Sequence, residues 1–462
     1  MQEYRSVNPA TAELIAEYES HSDAHIAAAI DAARSAFHDW RRGDFAQRSK
    51  FLNELAAQLR AGREDFARLM AIEMGKPIRD GLGEVEKCAR LCEYYAVHAP
   101  AFAADEEVAA DTGATRSSIS YQPLGIIFAV MPWNFPFWQA LRAAIPAVAA
   151  GNAVVLKHAP NVAGCALALE KILRQALLSA GGPPELFANL FISHEQAGAL
   201  IDHTLVRGVT FTGSTRAGRS IGARAGAALK PAVLELGGSD PCVIFADADI
   251  KRAARLCAQS RLINGGQSCI AAKRFIAVAG IHEEFLQAFL SEMRAPVMGN
   301  PLQTEATLGP LARLDLREAL HAQVQTTIAE GGRLLLGGEI PEGPGAYYPP
   351  TVLADVTPGM TAGREELFGP AAAIMRADNE EHAIELANAT DFGLGAAIFT
   401  GDPDRVAELA RSGLEAGSVF INDFVKSDPR LPFGGIKASG YGRELGREGL
   451  RAFTGSKTIV QA

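Results

Sequence analysis

GIIFAVMPWNFPFWQALRAAIPAVAAGNAVVLK, residues 125–157, is the stretch on which the fold reading turns. GIIFAV (125–130) is a short apolar run, FWQALRAAIPAVAA (137–150) has helical character, and AVVLK (153–157) is apolar again. Two short apolar runs joined through a helix predict a strand-helix-strand unit with parallel pairing. The rhythm continues with a helix over 162–178, a strand near NLFI (189–192), a helix over 195–202, a strand at GVTF (208–211), a helix from 216 and a strand at AVLEL (232–236). Strands separated by helices of this length imply an open sheet covered on both faces. A second series follows LELGG, with CVIF (242–245), RFIAV (274–278), RLLLGG (333–338), AAIFT (396–400) and SVFIND (418–423). The sequence therefore predicts an α/β protein with two doubly wound parallel-sheet domains. Upstream, residues 23–100 carry apolar stripes at i, i+3 and i+4, as in FLNELAAQLR, and predict a helical layer punctuated at MGKP and DGLGEVE. The tail GSKTIVQA (455–462) reads as a terminal strand able to pair with another subunit.

Composition narrows the function class. The chain has 462 residues, 48% of them hydrophobic, and a formal charge of −9 with no basic block. Nothing in that pattern invites nucleic acid or an anionic membrane. Residues 1–20 lack a signal peptide's basic start and apolar centre, and no run is long enough to span a bilayer, so the expected compartment is the cytoplasm. The six cysteines are too scattered for a disulfide framework and never meet histidines at metal-binding spacing; they are read as reduced, with no metal site.

Three polar residues stand isolated inside apolar sequence. Asn134 in MPWNFPFW lies between prolines that restrict the backbone on both sides; a rigid amide there either donates to an oxyanion or stabilises a turn. Glu235 in AVLELGG ends an apolar strand beside a glycine pair that permits close approach of a ligand. Burial would raise its pKa toward a general base's range, unless a surface lysine pairs with it. Arg142, on an apolar helix, needs an anion, either a substrate carboxylate or a structural acid. The nucleophile candidate is Cys269 in NGGQSCIAAKR (264–274), where Gly265 and Gly266 are read as leaving room for ligands to approach. No histidine stands nearby to activate it as in a cysteine protease. The glycine fingerprint of dinucleotide-binding folds is absent, and GSTRAGRS (213–220) departs from the P-loop pattern by placing Arg219 where the lysine belongs.

Taken together, MPWNFP, LELGG, GGQSC, EELFGP (365–370) and PFGGIKASGYGREL (432–445) resemble, in order and spacing, the NAD(P)-dependent aldehyde dehydrogenases. LKHAPN, LELGGSDP and AAKRF are most similar to the bacterial succinate-semialdehyde dehydrogenases of the shorter type. The resemblance implies a Cys269 nucleophile, an Asn134 oxyanion donor assisted by the Cys269 N–H, and Glu235 as the base that hydrolyses a thioester. It also implies cofactor contacts at Trp133, Lys157, Gly213, Ser214, Leu236, Glu366 and Phe368, and a grip on a substrate carboxylate by Arg142 and Ser427. Residues 1–108 and 124–237 would form the NAD(P)-binding domain and 238–435 the catalytic domain. Segments 109–123 and 448–462 would form an oligomerisation element of a homodimer or homotetramer. Pro160 stands where the family often has an acid or a small polar residue; an acid there would repel a 2′-phosphate, and its absence leaves NAD and NADP both open, with the expectation leaning to NAD. Ile263 replaces an arginine that some succinate-semialdehyde enzymes carry, so glutarate semialdehyde is an alternative substrate. A CoA-acylating enzyme and a silent structural member of the fold are the remaining alternatives, and the presence of Glu235, Asn134 and Cys269 speaks against both.

Overall fold

The computed structural model describes residues 4–109 and 114–462. Part of the expected oligomerisation element, 110–113, lies outside them. Two sheets organise the chain. The first has five parallel strands, Ala232–Glu235, Val206–Thr212, Ile126–Met131, Ala153–His158 and Phe187–Asn189 in spatial order, closed on the Ala232–Glu235 side by the short antiparallel strand Gly440–Tyr441. The second has seven strands, with Pro241–Ile244 and Arg274–Val278 at its centre and Arg333–Leu336 antiparallel at one edge. Successive residues of its central strands point to opposite apolar clusters. Val243 and Ile276 face one, and Cys242, Ile244 and Phe275 the other, which is why these strands read as continuous apolar runs.

Four N-terminal helices, Asp23–Trp40, Phe45–Ala61, Arg63–Met74 and Ile78–Phe102, pack on the first sheet and share its core. The Ser22 and Asp44 side chains cap the first two. MGKP does break the layer, with Gly75 in the left-handed region at φ 78°. DGLGEVE does not: it continues the Ile78–Phe102 helix. A Cβ on Gly81 would stand 3.0 Å from Ala67, so that glycine serves close helix packing, not a turn. Two strands of the second sheet escaped the sequence reading, Thr351–Ala354 and the alanine-rich Ala371–Ala377. NLFI also lies at the end of the Phe187–Asn189 strand and beyond it.

The tail strand Thr454–Gln461 pairs with Arg116–Pro123 of its own chain, in a three-stranded sheet completed by Glu106–Glu107. Among the described residues, no helix is long and apolar enough to cross a membrane. All six cysteines are free.

Candidate active site

In the first sheet the chain runs from Ile126–Met131 outward to Ala153–His158 and Phe187–Asn189, then returns to the other side at Val206–Thr212. Such a reversal opens a crevice at the carboxyl ends of the strands. The loops leaving those ends carry Pro132–Trp133–Asn134, Gly213–Ser214 and Leu236–Gly237. At the amino end of a strand of the second sheet, Lys273 meets the loop that carries Cys269. Between them is a cavity of about 260 Å³, lined by Trp133, Asn134, Gln139, Thr212, Gly213, Ser214, Leu236, Gly237, Cys269, Glu366 and Phe368 among others. Eight expected site residues thus converge on one space: Asn134, Cys269, Trp133, Gly213, Ser214, Leu236, Glu366 and Phe368.

Cys269 follows an irregular turn in which Asn264, Gly265 and Gly266 have φ of 53°, 63° and 76°. A Cβ at Gly266 would come within 2.2 Å of the Gly369 carbonyl oxygen. The glycine therefore admits the backbone of EELFGP and not the ligands that the sequence suggests for this space. The same logic applies to the second pair, since a Cβ at Gly237 would meet Glu366 Oε2 at 2.5 Å and one at Gly238 the Cys269 carbonyl oxygen at 2.8 Å. Both glycine pairs draw Glu366 and the cysteine loop together. The Gly238 N–H then donates to Glu366 Oε1 at 3.0 Å. Lys273, from AAKRF, went unassigned in the sequence; its buried ammonium donates to the carbonyl oxygens of Ser268 and Cys269 at 2.9 and 2.6 Å and faces Glu366 at 3.6 Å.

Asn134 is held on both sides. Its Nδ2 donates to the Gln267 carbonyl at 3.0 Å, while Asn264 Nδ2 donates to the Asn134 carbonyl at 2.7 Å. One amide hydrogen is thereby fixed, and the other has no acceptor among the described residues, in a side chain that lines the same cavity as Cys269. The next residues start the Pro136–Ala150 helix, whose free N–H groups at Phe137 and Trp138 both donate to Glu84 Oε1 at 2.9 Å. Glu84 is also ion-paired to buried Lys76.

Burial pushes the Cys269 thiol up to about 12, against the opposing pull of Arg142 and Lys273. Glu235 lies 1% exposed with neither carboxyl oxygen hydrogen-bonded, and burial followed by the neighbouring Glu444 carboxylate raises it well above the usual carboxylate range. The expected direction is met. No surface lysine pairs with Glu235 among the described residues. Gly440 pairs with Glu235 across the sheet edge, and a Cβ on Gly434 would stand 2.7 Å from Glu235 Oε1. The PFGGIKASGYGREL segment therefore closes over the carboxyl.

The same segment answers the question about Arg142. The guanidinium is 2% exposed, ion-paired to Glu444 and covered by the Phe433 ring at 4.7 Å. Its anion is a structural acid, one of the two possibilities that the sequence left open. Ser427 is not among the residues lining the Cys269 cavity; it lines a second pocket, where its hydroxyl receives a hydrogen bond from Lys87.

The first-sheet crevice suits a dinucleotide. Ser214 caps the Thr215–Ala227 helix, whose N-terminus faces the cavity, and Gly218 lets that helix sit against Leu236, where a Cβ would collide at 2.3 Å. Lys157 is 4% exposed and has no carboxylate partner among the described residues; burial pulls its ammonium down to about 8. Such a cation suits ribose hydroxyls. Trp133 and Phe368 meet edge-to-face at 5.8 Å beside Glu366.

The family model described as the aldehyde dehydrogenase family matches residues 1–459. The chain belongs to this family. Its relatives include the succinate semialdehyde dehydrogenase [NAD(P)+] Sad of Escherichia coli (strain K12), 47% identical, with 98% of this chain and 97% of the relative covered. A probable succinate-semialdehyde dehydrogenase [NADP(+)] of Synechocystis is 46% identical over 98% of each chain. Among solved structures, the Streptococcus pyogenes succinic semialdehyde dehydrogenase in complex with NADP+ superposes with a TM-score of 0.95 at 35% identity, covering 99% of both chains. The fold is thus that of the aldehyde dehydrogenases. These names speak of NADP or of both cofactors, and the lean to NAD finds no support in them.

Proposed function

We propose that this aldehyde dehydrogenase oxidises succinate semialdehyde to succinate, with NADP accepted as well as or better than NAD. The observation carrying the chemistry is the convergence of Cys269 and the Asn134 amide on one cavity, with Glu235 buried close by. The substrate and the cofactor preference rest on full-length likeness to relatives bearing those names.

The Cys269 thiolate bonds to the aldehyde carbon, and the carbonyl electron pair moves to oxygen, where the free Asn134 hydrogen and the Cys269 N–H hold it. Lys157, the helix start at Ser214 and Glu366 would hold a nicotinamide dinucleotide, which when bound supplies the acceptor for the hydride on that carbon. Loss of the hydride leaves a thioester on Cys269. Glu235, once ionised, takes a proton from water, the hydroxide adds to the thioester carbon, and the acid leaves as the thiolate is restored. Burial raises the Glu235 carboxyl above the usual carboxylate range, which strengthens it as a base once it is ionised. In this reading residues 1–108 and 124–237 serve the cofactor, and 238–435 carry the nucleophile. The enzyme works in the cytoplasm as a homodimer or homotetramer joined through 109–123 and 448–462.

A panel of succinate semialdehyde, glutarate semialdehyde and butanal, each with NAD and NADP, tests the reading by absorbance of the reduced nicotinamide. Succinate semialdehyde should give the highest kcat/KM, and NADP should at least equal NAD. Faster turnover of butanal would overturn the substrate assignment.

A further inference from the structure

Arg142 is already neutralised by Glu444, which raises the question of what else could meet the charge of an acid-bearing aldehyde. On the Ile78–Phe102 helix, Lys87 projects from the wall of a pocket formed with Glu86, Arg90, Tyr94, Ser427, Asp428 and other residues. Its ammonium donates to Ser427 Oγ at 2.5 Å and lies 4.0 Å from the centre of the Trp138 ring. Trp138 belongs to the Pro136–Ala150 helix, which also carries Gln139 of the Cys269 cavity and Arg142, a guanidinium whose charge acts on both the Lys87 ammonium and the Cys269 thiol.

Among the described residues, the acids around Lys87 are engaged elsewhere. Glu84 is paired to Lys76 and to two backbone amides. Asp428 is gripped by Arg430 at 2.6 Å, Glu86 by Arg60 and Arg90, and Glu93 by Arg60. Lys87 itself forms no ion pair among the described residues. Burial, with Arg142 beside it, pulls the Lys87 ammonium down to about 8, so its charge is costly where it stands. An unpaired, partly desolvated cation beside a hydroxyl is a carboxylate site short of its carboxylate.

We propose that Lys87, with the Ser427 hydroxyl, holds the distal carboxylate of the substrate and sets the preference for acid-bearing aldehydes, while Arg142 holds Glu444 and the loop over Glu235. This rests on the reading of the substrate as such an aldehyde. The Lys87 ammonium donates directly to the carboxylate, and Ser427, already accepting from Lys87, turns its own proton to the second carboxylate oxygen. The Trp138 ring keeps the ammonium in place by a cation–π contact.

The test is the ratio of kcat/KM for succinate semialdehyde to that for butanal, measured in wild type, Lys87→Met, Lys87→Arg and Arg142→Met. Loss of one charge-assisted contact lowers this ratio by about 10- to 100-fold in Lys87→Met, mostly through KM for the acid. Lys87→Arg retains most of the ratio, and equal thermal unfolding midpoints show that the fold is intact. Arg142→Met, which strands the buried Glu444 carboxylate, depresses both substrates together. A preserved ratio in Lys87→Met, or a ratio lost only in Arg142→Met, overturns the proposal and leaves the substrate reading standing. A wild type without preference for the acid overturns the substrate reading itself.

Discussion

At the scale of single residues the nucleophile rests as a thiol. With the thiol raised to about 12, Cys269 holds its proton near neutrality, and burial raises Glu235 as well. An elevated pKa leaves little ionised form at low pH and more as pH rises, so reactivity grows toward alkaline conditions. In cofactor-free enzyme, alkylation of Cys269 by iodoacetamide should accelerate steadily from pH 6 to 9; a plateau reached below pH 7 would contradict the buried thiol. Cys269→Ala should abolish aldehyde oxidation yet still bind NADP, as followed by quenching of protein fluorescence, and appreciable turnover would remove the nucleophile assignment. Glu235→Gln keeps the side chain's shape but cannot accept a proton. A burst of reduced nicotinamide followed by a steady rate lower by about 10²-fold or more is expected, in line with the usual worth of a general base. An unchanged steady rate would reassign the base.

At the scale of elements, the Pro136–Ala150 helix carries the oxyanion donor's loop, and Glu84 fixes where that helix begins. Its carboxylate satisfies two N–H groups of the first turn and the buried Lys76 ammonium, which also lies 4.0 Å from the Phe135 ring centre. Removing one partner of a buried pair strands the other charge, so Glu84→Ala should cost about 3–5 kcal/mol. A thermal unfolding midpoint within a degree of wild type would show that Lys76 finds another partner. No local pattern marks Glu84, because the N–H groups that it satisfies lie on a different helix start far along the chain. The sequence was legible where one residue's chemistry is announced by its neighbours: apolar strands as at GIIFAV and RFIAV, and isolated polar groups at Asn134, Glu235 and Cys269. It was opaque where meaning depends on what the fold brings alongside. Gly266 looked like room for ligand and is room for Gly369, while Ala371–Ala377 is a strand only because neighbours on both edges pair with it. Arg142 advertised its need for an anion without saying that Glu444 supplies it.

At the scale of the whole molecule, the C-terminal strand ties the end of the chain to the site. Asn152 Nδ2 donates to the Phe453 carbonyl at 3.0 Å, anchoring the chain just before Thr454–Gln461 begins. From there the strand pairs with Arg116–Pro123, the segment that leads into Ile126–Met131 and hence to Asn134. Its other edge has no strand beside it among the described residues, and Ile459 and Val460 are 46% and 49% exposed. An open edge bearing apolar side chains is a template for pairing with another chain. If 448–462 joins subunits as proposed, truncation after Phe453 keeps the Asn152 anchor and removes only the edge. Light scattering after size exclusion should then give the mass of a dimer or tetramer for the full chain and of a monomer for the truncated one. Retention of the full-chain mass would place the subunit contact elsewhere. Because the removed strand covers the segment feeding the Asn134 loop, the monomer should also lose kcat, whereas an interface remote from the site would leave kcat unchanged.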